Sequence, residues 1–188
     1  MTDSRNESIR RDGLAKRIEP KSTWADIAVP EHQLQLLRTL AASAASPSHG
    51  SANHGIVALF SGVNSTGKIM AAEVLARELH LDLHRIDLTR VVSKYIGETE
   101  KNLSQVFAVS AAGNAILFFD EADALFGKRS EVRDAHDRYA NIEIGYFLQR
   151  LEEYHGPVIL ATDIPHEWTP AVRERIRLVV EFSLHDPH

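Results

Sequence analysis

Apolar residues in this chain recur with two different periods, and the periods alternate. Residues 56–60, Ile-Val-Ala-Leu-Phe, are apolar without interruption, as expected of a strand buried on both faces. Over residues 68–80, Met70, Val74 and Leu75 fall on one helical face. Residues 81–86, 115–119, 158–161 and 178–182 read as further strands. Residues 98–112 read as a helix, and Ile144, Phe147, Leu148 and Leu151 follow the i, i+3, i+4, i+7 template of another. An earlier helix begins after Pro30 and carries Leu34, Leu37 and Leu40. Strands alternating with helices predict right-handed crossovers. The expected architecture is α/β and three-layered, with a five-stranded, mostly parallel sheet between helices.

The polar stretches divide the chain. Residues 1–22 have mixed charge and are interrupted by Gly13 and Pro20, so they read as a tail. Residues 46–54 have loop composition. The expected organisation is one core over residues 23–185, flanked by tails at 1–22 and 186–188. A chain of 188 residues fits a single domain.

Composition narrows the partners. A net charge of −5 offers no basic surplus for duplex nucleic acid, so a nucleic-acid partner is not expected. The chain has no cysteine, which excludes disulfides and thiolate metal sites and fits a reducing, cytoplasmic setting. Apolar runs such as 115–119 are far too short to cross a bilayer, and Met1-Thr2-Asp3 does not open a signal peptide, so no membrane insertion is expected. Among the histidines, His80 and His84 are four apart but straddle a predicted strand, and they read as packing or surface residues.

Two motifs carry chemistry. Gly62-Val63-Asn64-Ser65-Thr66-Gly67-Lys68 lies between the first predicted core strand and its helix, and supplies most of the G-x-x-x-x-G-K-[ST] phosphate loop. Its glycines let backbone N–H groups turn toward phosphate oxygens, and the helix N-terminus adds partial positive charge. Lys68 would reach the β- and γ-phosphates. The position that normally brings a hydroxyl to Mg²⁺ is Ile69, which has no oxygen. That loss should weaken Mg²⁺-nucleotide function at least ten- to hundredfold, unless water takes the site. Further along, the 115–119 run leads into Asp120-Glu121-Ala122-Asp123. A buried parallel strand would deliver Asp120 to hold Mg²⁺ and Glu121 to orient and deprotonate the attacking water.

With these motifs, the chain resembles the ATPase core of the AAA family, over roughly residues 24–184. The other carriers are the opening segment Trp24-Ala25-Asp26-Ile27 and Val92-Ser93-Lys94-Tyr95-Ile96-Gly97-Glu98-Thr99-Glu100-Lys101-Asn102. The resemblance implies a phosphate-loop NTPase fold that binds ATP with Mg²⁺. It implies that Asp26 and Ile27 border the adenine. Gly62, Val63, Asn64, Ser65, Thr66, Gly67, Lys68, Ile69 and Met70 would contact the nucleotide. It also implies that Lys94, Tyr95 and Ile96 form a pore loop gripping a protein substrate threaded through a central channel.

The chain departs from the family at chemical positions. The usual Pro-Pro-Gly is Val63-Asn64-Ser65, the metal-binding Thr is Ile69, and the sensor Asn after the 158–161 strand is Asp163. A second carboxylate there would repel a triphosphate unless protonated or metal-bound. The first arginine finger aligns with Glu174, leaving Arg175 as the better candidate, with Arg173 and Arg177 behind it. The small helical lid of relatives has no counterpart before His188, and a homo-hexamer is expected only if a lid is supplied. Two functions follow as expectations: an ATP-driven remodelling module, or a nucleotide-binding module with weakened catalysis that acts as a scaffold. The string Asp120-Glu121-Ala122-Asp123 also resembles a helicase box, a reading that charge and length disfavour.

Overall fold

A computed structural model describes residues 13–46, 55–110, 114–127, 135–164 and 168–183. Its strands are β1 (Ala15–Ile18), β2 (Val57–Ser61), β3 (Asp82–Asp87), β4 (Ala115–Asp120), β5 (Val158–Thr162) and β6 (Ile176–Glu181). The helices are α1 (Glu31–Ala45), α2 (Ser65–Leu79), α3 (Leu88–Val91), α4 (Glu98–Val109), α5 (Asp123–Phe126), α6 (Ala135–Glu153) and α7 (Pro170–Arg173). A 3-10 turn spans Trp24–Asp26.

The strands form one sheet in the order β1-β3-β4-β5-β2-β6. From β3 to β6 every neighbouring pair is parallel. Neighbours that are distant in sequence require crossovers, and helices on both faces supply them. The alternation of strand side chains is visible in the core. Val57 and Leu59 face one cluster with Phe107, Phe119 and Phe147, under α4 and α6. Ala58 and Phe60 face the other, with Leu37, Ala72 and Phe118, under α1 and α2. Burial on both faces explains the uninterrupted apolar runs in β2, β4 and β5.

Among the described residues the sheet has six strands, not the five expected. The extra one comes from the segment read as a tail: Ala15–Ile18 pairs antiparallel with β3, and Arg17 forms an ion pair with Asp82 at 2.8 Å. Four residues with Lys16 and Arg17 at the centre carry too little apolar signal for a periodicity reading. The strand forms because β3 presents an open edge, a partner about seventy residues away. Residues 1–12, 47–54, 111–113, 128–134, 165–167 and 184–188 lie outside the described residues, and with them the end of the expected 98–112 helix. The basic cluster of Lys128, Arg129 and Arg133, and most of the 46–54 loop, fall there.

After β1 the chain is strapped over the back of α2. The backbone N–H groups of Lys21 and Ser22 donate to Glu73 Oε2 at 3.0 Å, and the Ser22 hydroxyl donates to the same oxygen at 2.8 Å. Arg77 donates to the Lys21 and Ser22 carbonyls, and the Trp24 indole donates to Glu78. Burial pushes the Glu73 pKa up, but the three bonds it accepts outweigh burial, and the net pKa lies below the ordinary glutamate value.

Candidate functional site

The two motifs meet at the C-terminal edge of the parallel strands. The sheet order places β5 between β2 and β4, so the phosphate loop after β2 and the acidic end of β4 flank Thr162 and Asp163. This is where helix N-termini and strand ends of an open α/β sheet converge on a ligand.

Gly62 makes the turn out of β2. Its φ is +115°, and a Cβ there would lie 2.2 Å from the Phe182 carbonyl oxygen, so no side chain fits. The Gly62 N–H donates to the Thr162 carbonyl at 3.0 Å, and the Asn64 N–H donates to Phe182 at 3.2 Å. Helix α2 starts at Ser65, earlier than the 68–80 reading, because Asn64 caps it by accepting from the Gly67 N–H at 2.9 Å. Val63, Ser65 and Thr66 are exposed along the loop. Ile69 packs against the α1/α2 core, and Met70 is half-buried.

Lys68 is buried, at 1% exposure, and its ammonium is fully engaged. It donates to the Gly62 carbonyl at 2.7 Å, to the Thr162 carbonyl at 2.9 Å and to Asp163 Oδ1 at 2.6 Å. An ammonium has three donors, and all three are used. Asp163, expected at a sensor position, sets its carboxylate against the lysine expected to meet a phosphate.

The acidic end is compensated in the same way. Asp120 is largely buried, and its Oδ2 accepts from Arg85 Nε at 3.0 Å and Nη2 at 2.5 Å. Its Oδ1 accepts from the Glu121 N–H at 3.0 Å. Glu121 is exposed and held at φ +54°, a left-handed conformation that costs a non-glycine residue about 1–3 kcal/mol and clusters at functional sites. Its pKa is raised, first by burial and then by the nearby charges of Asp120, Asp163, Asp123 and Asp87. Asp123 is tied to β5 by the Thr162 hydroxyl at 2.6 Å.

The residues present fit a phosphate group. Gly62 keeps the turn free of any side chain, and the phosphate loop opens a helix of 15 residues whose N-terminus favours an anion. They do not fit a Mg²⁺ ion. The hydroxyl position is an aliphatic side chain committed to the core, and the carboxylate expected to hold the metal, Asp120, is held by a guanidinium. The expected adenine border is placed beside α2. Asp26 closes a capping box with Thr23 through two 2.7 Å bonds, and Ile27 packs on the α1/α2 core.

The pattern of the AAA family model, described as ATPase family associated with various cellular activities, matches residues 58–184. The chain belongs to the AAA family. An uncharacterized AAA family ATPase, y4kL of Sinorhizobium fredii, is 30% identical over 176 residues, covering 90% of this chain and 52% of that protein. The cell division cycle protein 48 homolog of Archaeoglobus fulgidus is 29% identical over 179 residues, covering 92% of this chain and 24% of that one. The chain thus spans about half the length of the first relative and a quarter of the second. A chain of the E. coli MS115-1 HORMA:CdnC:Trip13 complex matches the fold with a TM-score of 0.65 at 19% identity, covering 92% of this chain and 71% of that one. The AAA chain is therefore an ATP-binding module with a mostly parallel sheet, as its motifs led us to expect.

Other expected AAA positions lie away from the phosphate loop. Tyr95 and Ile96 are 64% and 79% exposed, in the connection between α3 and α4. Lys94 Nζ sits 5.3 Å from the centre of the Tyr95 ring. The Gly-Glu-Thr-Glu-Lys-Asn stretch that follows fastens this loop at its base. The Ser93 N–H donates to the Thr99 hydroxyl at 2.9 Å, the Ser93 hydroxyl donates to Glu98 at 2.6 Å, and Asn102 donates to the Val91 carbonyl at 2.9 Å. At the other end, Arg175 forms an ion pair with Glu152 of α6, and Arg173 donates to the Trp168 carbonyl at 2.9 Å. Arg177 is exposed on β6, and Glu174 follows α7. Among the described residues no group of acidic and histidine side chains is arranged to hold a metal, and His84 is buried against the Ser110 hydroxyl at 2.9 Å. No described helix is long and apolar enough to cross a membrane.

Sequence reasoning missed Arg85 and Glu73. Arg85 had a signal, a charged residue between His84 and Ile86 in an otherwise buried strand pattern. The role of Glu73 depends on a strap whose position the sequence does not reveal.

Proposed function

We propose that this chain is an AAA module that binds ATP, hydrolyses it slowly, and presents Lys94, Tyr95 and Ile96 to a protein substrate. The observation that carries the reading is Lys68, buried inside a phosphate loop with its charge already met by Asp163. ATP would have to take over the place of that carboxylate, so binding is retained but opposed. Ile69 and the Arg85–Asp120 pair act against turnover, while the strained backbone of Glu121 favours a residual general-base role. Arg175 would reach a neighbouring nucleotide only by leaving Glu152. Assembly as a homo-hexamer, with a lid supplied, and threading of polypeptide through a central pore belong to the same proposal.

Calorimetric titration with ATP tests it. The wild-type chain is expected to bind, and Lys68→Ala to lose affinity by roughly 10–100-fold, the equivalent of one or two charge-assisted bonds. Steady-state phosphate release is expected to be slow and to vanish in Glu121→Gln. An unchanged affinity in Lys68→Ala would sink the reading.

A further inference from the structure

In a phosphate-loop site the metal brings positive charge to the triphosphate, anchored by a hydroxyl after the lysine and a carboxylate at a strand end. This chain has neither anchor available, yet it has a fixed positive charge at the carboxylate. Arg85 and Asp120 lie on adjacent parallel strands. In the β3–β4 register, Arg85 sits beside Phe118 and Asp87 beside Asp120. Arg85 and Asp120 are therefore diagonal neighbours on one face, a separation that a long side chain spans. It is the same face as Leu83 and Phe118, which pack with the α2 residues Ala71, Ala72 and Leu75. The guanidinium thus stands on the side of the sheet that the phosphate-loop helix covers.

The pair is held in place by its hydrogen bonds. Two Arg85 nitrogens, Nε and Nη2, converge on Asp120 Oδ2, at 3.0 and 2.5 Å, and the second carboxylate oxygen is occupied by the Glu121 N–H. A guanidinium does not lose its proton in a protein, and its fork gives it a fixed direction. A divalent cation approaching Asp120 would meet this charge, and the residue after Lys68, Ile69, offers it no oxygen. Across the site Lys68 is paired with Asp163, so the chain compensates both groups internally.

We propose that Arg85 takes the metal's place on Asp120, so that this chain binds ATP without Mg²⁺. The inference rests on the ATP-binding reading above, and the two fail in different ways. The experiment is titration of the full chain with ATP, once with excess Mg²⁺ and once with EDTA. Wild-type dissociation constants are expected to agree within about twofold. Arg85→Gln, which leaves Asp120 uncompensated beside the phosphates, is expected to bind at least tenfold more weakly in EDTA and to regain affinity with Mg²⁺ when combined with Ile69→Thr. Arg85→Lys keeps the charge and is expected to fall between the two. The Arg85 side chain is about half exposed, and thermal melting of each variant checks that the fold is kept. A wild-type affinity that falls tenfold or more in EDTA overturns the metal-free proposal and leaves ATP binding standing. An Arg85→Gln affinity unchanged in EDTA also overturns it. No binding under either condition overturns the ATP-binding reading and this proposal with it.

Discussion

The phosphate loop and the loop of residues 94–96 are built on opposite principles. In the first, Lys68 is enclosed, every donor on its ammonium is engaged, and the turn at Gly62 admits no Cβ. In the second, the base is fastened by Ser93, Thr99 and Asn102, while Tyr95 and Ile96 stand in solvent. Gly97 shows the same contrast: its φ is +79°, yet a Cβ there would meet nothing within 4 Å. The lesson is that fixed charges need fixed geometry, because a misplaced charge loses most of its interaction, whereas an exposed side chain on a fastened loop keeps its reach and freedom.

Substitutions can break this comparison, and the largest expected effect is on stability. Gly62→Ala puts a Cβ against the Phe182 carbonyl and forces an alanine to positive φ. A cost of about 3 kcal/mol is expected, which lowers the melting temperature of a chain this size by roughly 6–12 °C. A melting temperature within about 2 °C of wild type would show that the loop is not closed as described.

Next in size is Asp163→Asn, which keeps the shape but removes the carboxylate from Lys68. Freeing that charge is expected to raise ATP affinity about tenfold, equivalent to one charge-assisted bond. Weaker binding would mean that Asp163 helps to hold the nucleotide rather than competing with it.

Glu73→Gln tests whether the strap behind α2 supports the enclosed region. Because the folded pKa of Glu73 is lowered, its ionised form contributes stability that is present above the unfolded glutamate value and lost as pH falls through the folded value. The melting temperature of wild type is therefore expected to exceed that of the variant at neutral pH, with the gap closing below about pH 4. A gap that stays constant down to pH 2.5 would assign the difference to hydrogen-bond geometry rather than charge.

The smallest effect on the fold belongs to Tyr95→Ala. An exposed side chain is expected to change stability by no more than about 0.5 kcal/mol and leave ATP affinity untouched. Capture of an unfolded protein substrate is the property expected to be lost. A fall in both melting temperature and nucleotide affinity would turn the contrast around and make Tyr95 a packing residue.

Much of this molecule is legible in residue order. Continuous apolar runs predict β2, β4 and β5 because a parallel strand covered on both faces needs apolar side chains at every position. Gly62, Gly67 and Lys68 announce a phosphate loop because their spacing is local to one turn. The expected departures at Ile69, Asp163 and Glu174 are equally legible, since each is read as a change of atom type at one position. The sequence did not reveal β1. Its four residues gain their order from an open edge of β3, a contact far along the chain.

The division has a physical cause. Periodicity and motif spacing are properties of neighbouring residues, so the sequence by itself determined the layered α/β class, the phosphate loop and the acidic strand end. Which charge meets which is a property of the assembled sheet. Only the tertiary structure set Asp163 against Lys68, 95 positions apart, and Arg85 against Asp120, 35 apart. Strand order and register fixed those pairs, and they give this site its character: two charged groups of an ATP-binding fold, each already answered from within the chain.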